Sequence, residues 1–219
     1  MNKKKNVLIL VISMFILALV YTLLVKNVDT KAIGPGGSVV GFSSLNKWFH
    51  DLFSYSSFWY KLTKYLGFIP FLFVAYYGLC GLLQLIDKKS IAKVDKKIIC
   101  LGIFYVLVGI TYIFFEKVII NYRPVMLEGE LEASYPSSHT MLAVCICLSS
   151  LLISKDYIKN IKIRKIINDI TWLLMIVLVV GRSLSGVHWI SDIIGGVIIS
   201  LFLVSIFYYS IFEEKKKKA

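Results

Sequence analysis

The apolar positions of this chain fall into long runs separated by short polar clusters, and the run lengths suit a bilayer rather than a soluble core. The first run, Val7 to Val25, follows Lys3-Lys4-Lys5 and at helical rise reaches across the hydrocarbon layer. Five more follow: Phe68 to Ile86, Ile98 to Phe115, Ser138 to Ser154, Ile166 to Val180 and Ile193 to Phe212. Tilt and local thinning accommodate the shorter ones. The pattern predicts an all-α fold, a six-transmembrane-helix bundle making one integral membrane domain over residues 1–219. A signal peptide would have a shorter apolar core and a small-residue cleavage site, so the first run is expected to stay as a helix.

Between the first two runs lies a non-spanning region from Lys26 to about Leu66, opening on the flexible loop Gly34-Pro35-Gly36-Gly37. Within it Leu45, Trp48, Phe49, Leu52 and Phe53 recur at helical spacing, with Asn46, Lys47, His50 and Asp51 elsewhere. That predicts a helix lying in the membrane interface, where its aromatic rings suit the headgroup level. It serves as a surface anchor or as a platform beside a lipid's access path, and His50 reads as a solvated interface residue.

Composition sharpens the picture. The chain is 58% hydrophobic, with a mean hydropathy of +0.76, far more apolar than a soluble domain. The net charge of +12 does not point to nucleic acid, because the basic residues sit in short clusters between apolar runs, as in cytoplasmic loops. With the N-terminus cytoplasmic, 17 of the 25 basic residues fall on the inner side, around Lys3–Lys5, Lys88–Lys97, Lys155–Lys165 and Lys215–Lys218. Both termini are therefore expected in the cytoplasm of a multi-pass cell-membrane protein. Cys80, Cys100, Cys145 and Cys147 lie inside apolar runs without zinc-type spacing and read as reduced packing residues. Gly195 and Gly196 read as close helix packing, and Trp189 as a belt aromatic.

The same topology puts two polar stretches on the outer side. One is Gly181-Arg182-Ser183-Leu184-Ser185-Gly186-Val187-His188-Trp189-Ile190-Ser191-Asp192. Ionisable residues at the rim of a membrane segment are costly, so a functional site is the default reading. His188 and Asp192 are four residues apart and share a helix face if a helix begins near His188; the carboxylate can then hold the imidazole in one tautomer. Arg182 offers a fork of donors suited to phosphate. The other stretch holds Glu116-Lys117-Val118-Ile119-Ile120-Asn121-Tyr122-Arg123-Pro124 and then Tyr135-Pro136-Ser137-Ser138-His139.

Taken together, a lysine then Arg-Pro, a Pro-Ser-Ser-His, and an Arg followed by His and Asp resemble the three signature blocks of the type 2 phosphatidic acid phosphatase superfamily. These are membrane lipid phosphatases that include undecaprenyl pyrophosphate phosphatases and, more distantly, soluble acid phosphatases and vanadium haloperoxidases. The resemblance covers Glu116 to Asp192 by motif and implies roles. His188 is the nucleophile, oriented by Asp192; His139 is the general acid and then base; Arg123, Arg182, Ser137, Ser138 and Lys117 bind phosphate; no metal or cofactor takes part. The implied substrate is a lipid mono- or diphosphate in the bilayer, undecaprenyl pyrophosphate first, with phosphatidate or phosphatidylglycerophosphate as the alternative.

Three positions depart from the signature. Five residues, rather than six, separate Lys117 from Arg123, and Glu116 stands where the lysine is usual, an offset of about 100° on a helix. Ser138 replaces a glycine, and Gly181 replaces a serine. Plainer roles exist for each residue: Ser137 or Ser138 as an N-cap, His139 as a helix-start residue, and Arg123 and Arg182 as interface anchors or partners of Glu128, Glu130 or Glu132. A lipid-phosphate binding or transport protein would use the same cations without turnover, and His139, His188 and Asp192 could by ligand type hold a metal. The two histidines with an aspartate favour turnover, since binding has no use for a nucleophile. Oligomeric state is not readable from the sequence.

Overall fold

A computed structural model describes residues 3–127 and 129–212. Glu128 and the charged run beginning at Glu213 lie outside the described residues. The described chain is helical, as expected: α1 Lys3–Asn27, α2 Ser43–Leu52, α3 Ser57–Leu66, α4 Pro70–Lys88, α5 Lys96–Lys117, α6 Ser138–Tyr157, α7 Ile161–Leu184 and α8 Ile190–Ile211. Local chemistry sets the starts of several helices. Asp95 Oδ1 accepts from the Lys97 amide at the start of α5, and Asn160 Oδ1 accepts from the amides of Lys162 and Ile163 at the start of α7. Pro70 occupies the first turn of α4, where its missing N–H costs nothing.

Five helical segments are long and apolar enough to span a bilayer: Lys3–Asn27, Ser57–Lys88, Lys96–Lys117, Ser138–Tyr157 and Ile190–Ile211. The sixth expected span lies in α7, which is not among them. α7 has 24 residues, enough length to cross a bilayer, but Lys162, Arg164, Lys165, Asn168 and Asp169 in its first half and Arg182 in its last turn dilute its apolar stretch. Large apolar side chains of α1, α4 and α5, such as Ile9, Phe15, Leu72, Leu83, Ile103 and Val106, are exposed on the outside of the bundle. Such a surface is stable against lipid tails, not water.

The core is built on α6 and α8. α8 packs against α1, α5 and α6, while α6 also packs against α7. The packing around the start of α8 depends on glycine as expected: a Cβ at Gly196 would sit 3.2 Å from Thr140 Cβ of α6, and one at Gly195 would sit 2.3 Å from the Tyr135 ring. Tyr135 itself is buried and shares a 2.7 Å hydrogen bond with Thr22 of α1.

The region between the first two spans holds more than the one helix expected. After α1 the chain makes a two-stranded antiparallel hairpin, β1 Lys31–Ala32 and β2 Val39–Val40, with the Gly-Pro-Gly-Gly loop at its tip. α2 follows where the interfacial helix was expected, and its amphipathicity points outward. Leu45, Trp48 and Leu52 are exposed while Asn46 is fully buried. Asn46 Oδ1 accepts from the Ser191 amide, and its Nδ2 donates to Ser191 Oγ and to the Gly41 carbonyl, so the polar face grips the start of α8. His50 is half-buried with its ring edge-on to Trp189 at 5.4 Å, not solvated. α3, absent from the sequence reading, packs against α7.

Candidate active site

The site lies where the start of α6, the end of α7 and the turn into α8 converge, with α3 closing one side. The turn is shaped by Gly186, whose φ is +65° and on which a Cβ would sit only 2.6 Å from the Ser54 carbonyl carbon. Beside it the Ser56 amide donates to the Ser185 carbonyl, tying the α2–α3 link to the turn.

His188 follows on that turn and is 3% exposed. Its Nδ1 lies 3.1 Å from the Ser134 carbonyl and 3.0 Å from Ser134 Oγ. A carbonyl can only accept, so Nδ1 carries the proton and Nε2 keeps its lone pair. Nε2 is buried and has no hydrogen-bond partner among the described residues. Burial, reinforced by Arg182, Arg123 and His139, holds the His188 pKa well below its ordinary 6.5, so the ring is neutral at neutral pH. A neutral imidazole with a bare, protected nitrogen can attack an electrophile.

Asp192, in the first turn of α8, was expected to hold the imidazole itself. The hydrogen bonds of Nδ1 go to Ser134 instead, and Ser134 Oγ donates to Asp192 Oδ2 at 2.5 Å. The carboxylate also accepts from Asn121 Nδ2 at 3.0 Å and from the Trp189 amide at 3.1 Å. Asn121 Oδ1 in turn accepts from the Gly41 amide. Ser134 and Asn121 belong to the site and escaped the motif reading, because the signal they carry is spatial: they are brought in by the extended segment between α5 and α6, where Tyr122 bridges Ala133.

His139 stands in the first turn of α6. Its Nδ1 lies 3.3 Å from Arg182 Nη2, a group that only donates, which leaves the His139 proton on Nε2. Arg182 is 1% exposed; Nη1 contacts Thr63 Oγ1 at 3.4 Å and the guanidinium lies over the Tyr60 ring at 5.3 Å. α3 therefore holds Arg182 from behind. The same packing accounts for Gly181: a Cβ there would meet Thr63 Cγ2 at 2.8 Å and the Trp59 ring at 3.1 Å. Arg123 pairs with Glu132 at 3.0 Å and, like Arg182, has a buried Nε without a hydrogen-bond partner among the described residues.

The remaining expected residues divide. Ser138 is half-buried and lines two cavities described below. Ser137 is fully buried at the N-cap of α6; its amide donates to the Asp192 carbonyl, its hydroxyl accepts from Thr140, and it lines neither cavity. Lys117 is exposed at the end of α5, lines neither cavity, and makes no hydrogen bond or ion pair among the described residues. The one-residue offset has turned it away, and Glu116 lines a cavity in its place. Trp189 is buried rather than at a belt, with Nε1 donating to the Tyr122 carbonyl at 2.7 Å.

Two cavities meet at this site. A recess of about 10 Å³, room for roughly one water, is bounded by His188, Ser134, Glu116, Tyr112 and Ser138. A cleft of about 220 Å³ is bounded at its polar end by His139, Ser138, Thr63 and Lys64, and beyond them by Phe68, Phe71, Leu142 and Leu178. Ser138 and Tyr112 line both. One imidazole thus faces each cavity, with two guanidiniums nearby, which is a geometry for binding an oxyanion between them.

Comparison with known proteins bears on the family and the fold. The profile of the PAP2 superfamily matches residues 38–216. The chain belongs to the PAP2 superfamily. Among solved structures it is similar to one described as the first transmembrane PAP2 type phosphatidylglycerolphosphate phosphatase, from Bacillus subtilis, with a TM-score of 0.62 and 16% identity over 90% of this chain and 93% of that one. At that identity the likeness is one of fold. No curated protein matches the chain significantly.

Proposed function

We propose that the chain is a membrane lipid phosphatase that cleaves a lipid mono- or diphosphate through a phosphohistidine. PAP2 membership supports lipid phosphatase activity in general. The observation that carries the mechanism is the bare, buried Nε2 of His188 set across Ser138 from His139.

In this reading His139 takes up a proton when the anionic substrate binds; Nε2 of His188 attacks phosphorus while the P–O bond to the leaving group breaks, and Nε2–H of the His139 imidazolium protonates the departing oxygen, which returns that ring to the neutral form it needs as a base. Arg182 and Arg123, with the Ser138 hydroxyl and the free amides of the first turn of α6, hold the equatorial oxygens, where transition-state charge is spread. Asp192 acts through Ser134 to keep the Nδ1 proton in place and to stabilise the cation formed on attack. Water activated by His139 then cleaves the N–P bond and releases phosphate. Lys117 has no part in these steps. The reaction needs no metal, so chelators leave it unchanged.

The substrate we favour is a polyprenyl diphosphate such as undecaprenyl pyrophosphate, which the amphipathic cleft supports by joining a polar end to apolar walls. Phosphatidylglycerophosphate is the second reading, supported by the description of the Bacillus subtilis structure. The basic clusters support a site on the outer face and cytoplasmic termini. Phosphate release by purified protein across a panel of these lipids, with and without chelator, tests the reading. His188→Ala is expected to abolish release and His139→Ala to reduce it by about 10²–10⁴-fold. Release by His188→Ala at the wild-type rate would refute the mechanism. The same assay on sealed right-side-out vesicles checks orientation: added lipid should be hydrolysed without permeabilisation, and a strict need for permeabilisation would reverse the assignment.

A further inference from the structure

The two cavities at the site differ in charge. Glu116 is the carboxylate that bounds the recess, whereas Lys64 bounds the polar end of the cleft beside His139. Lys64 is exposed, and no carboxylate among the described residues lies within ion-pair distance of it. Its ammonium lies 5.8 Å from the centroid of the Tyr60 ring, the ring that also carries the Arg182 guanidinium. Tyr60 of α3 therefore has two cations near its ring, Arg182 of α7, buried at the reacting centre, and Lys64 of α3, displaced toward the cleft. Beyond Lys64 the walls turn apolar: Leu142 lies one turn deeper in the bundle than His139, and Leu178 one turn deeper than Arg182.

We propose that Lys64 binds a second phosphate on the leaving-group side of the reaction, so that the site selects lipid diphosphates over lipid monophosphates. This rests on the phosphatase reading above and deepens it. If His188 attacks from the recess, the leaving group departs into the cleft past His139. A monophosphate ester delivers a neutral alcohol there, which has no use for a cation. A diphosphate delivers a lipid monophosphate: the N–P bond forms at the terminal phosphorus, the bond from that phosphorus to the bridging oxygen breaks, and the oxygen leaves with the inner phosphate and the lipid chain, taking its proton from His139. The inner phosphate then lies where Lys64 can pair with it, and its chain runs along Phe68, Phe71, Leu142 and Leu178. Glu116 repels the same extra charge from the opposite side, so both residues favour one orientation.

The test compares a prenyl diphosphate with the monophosphate of the same alcohol, both in detergent, for the wild type, Lys64→Met and Lys64→Arg. The ratio of kcat/KM for diphosphate over monophosphate should exceed one in the wild type. It should fall about tenfold in Lys64→Met, the size of one lost charge contact, and be largely kept in Lys64→Arg. Should Lys64→Met fail to fold, the ratio read on Lys64→Gln decides in its place. A ratio that does not change with the charge at position 64, or that falls equally in Lys64→Arg, overturns the proposal while leaving the phosphatase reading standing. A wild type that hydrolyses neither lipid sinks both.

Discussion

Ser134 is the residue on which the chemistry of His188 turns. Its carbonyl and hydroxyl both face Nδ1, and the hydroxyl passes the hydrogen bond on to Asp192. Ser134→Ala leaves the carbonyl but disconnects the carboxylate; a misaligned imidazole is expected to lower kcat by about 10²-fold with little change in KM. Ser134→Thr keeps the hydroxyl and should recover most of the rate, and equal losses in both variants would show a packing role alone. The neutrality of His188 gives a pH dependence with a definite sign. Its folded pKa lies below 6.5. Lowering pH to 6.5 therefore leaves the nucleophile unprotonated, and after allowance for ionisation of the substrate the acid limb of kcat/KM should lie below that value. Folding shares the sign, since protonation favours the unfolded chain: this contribution to stability is complete above pH 6.5 and declines as pH falls below it. The motif reading singled out His139, His188, Arg123, Arg182 and Asp192 because their spacing is local to each block. Ser134 and Asn121 were not legible, because what makes them partners of Asp192 is the path of an irregular segment that has no period to read.

At the scale of elements, α3 is what the hydrophobic pattern hid. The strong apolar run from Phe68 onward draws attention away from Ser57 to Leu66, although Ser56 in the N-cap position and the Trp59, Thr63, Leu66 spacing carry a helical signal. α3 supplies Tyr60 and Thr63 to Arg182 and fits against α7 because residue 181 has no side chain. Gly181→Ala should therefore strain that contact, costing about 1–3 kcal/mol of stability and lowering activity as Arg182 shifts. Thr63→Ser removes the methyl nearest the new Cβ but keeps the hydroxyl, so the double variant should recover part of both losses in thermal unfolding and turnover. No recovery would mean that the α3–α7 contact is not what constrains position 181. α2 follows a different rule: the sequence period located it correctly, but which face is buried was set by Asn46 and its hydrogen bonds to Ser191 and Gly41. In a chain surrounded by lipid, the apolar face of a surface helix need not turn inward.

For the whole molecule, run length and composition made the all-α membrane architecture legible, because a bilayer imposes length and apolarity on each span. Residues at the rim of the bundle were less so. α7 dilutes its apolar stretch with the polar residues at both ends, and Arg182 at its last turn is one of the site's own cations. Burial of the paired helices α6 and α8 fixes the relation between His139, at the head of one, and His188, just before the other. That relation is the central claim, and a trapped intermediate tests it most directly. Rapid acid-free quenching of the protein with lipid diphosphate labelled at the terminal phosphorus should give an alkali-stable, acid-labile phosphate on His188, accumulating in His139→Ala as the second step slows and absent from His188→Ala. Label on another residue, or turnover at the wild-type rate by a protein that cannot be labelled at position 188, would contradict the account.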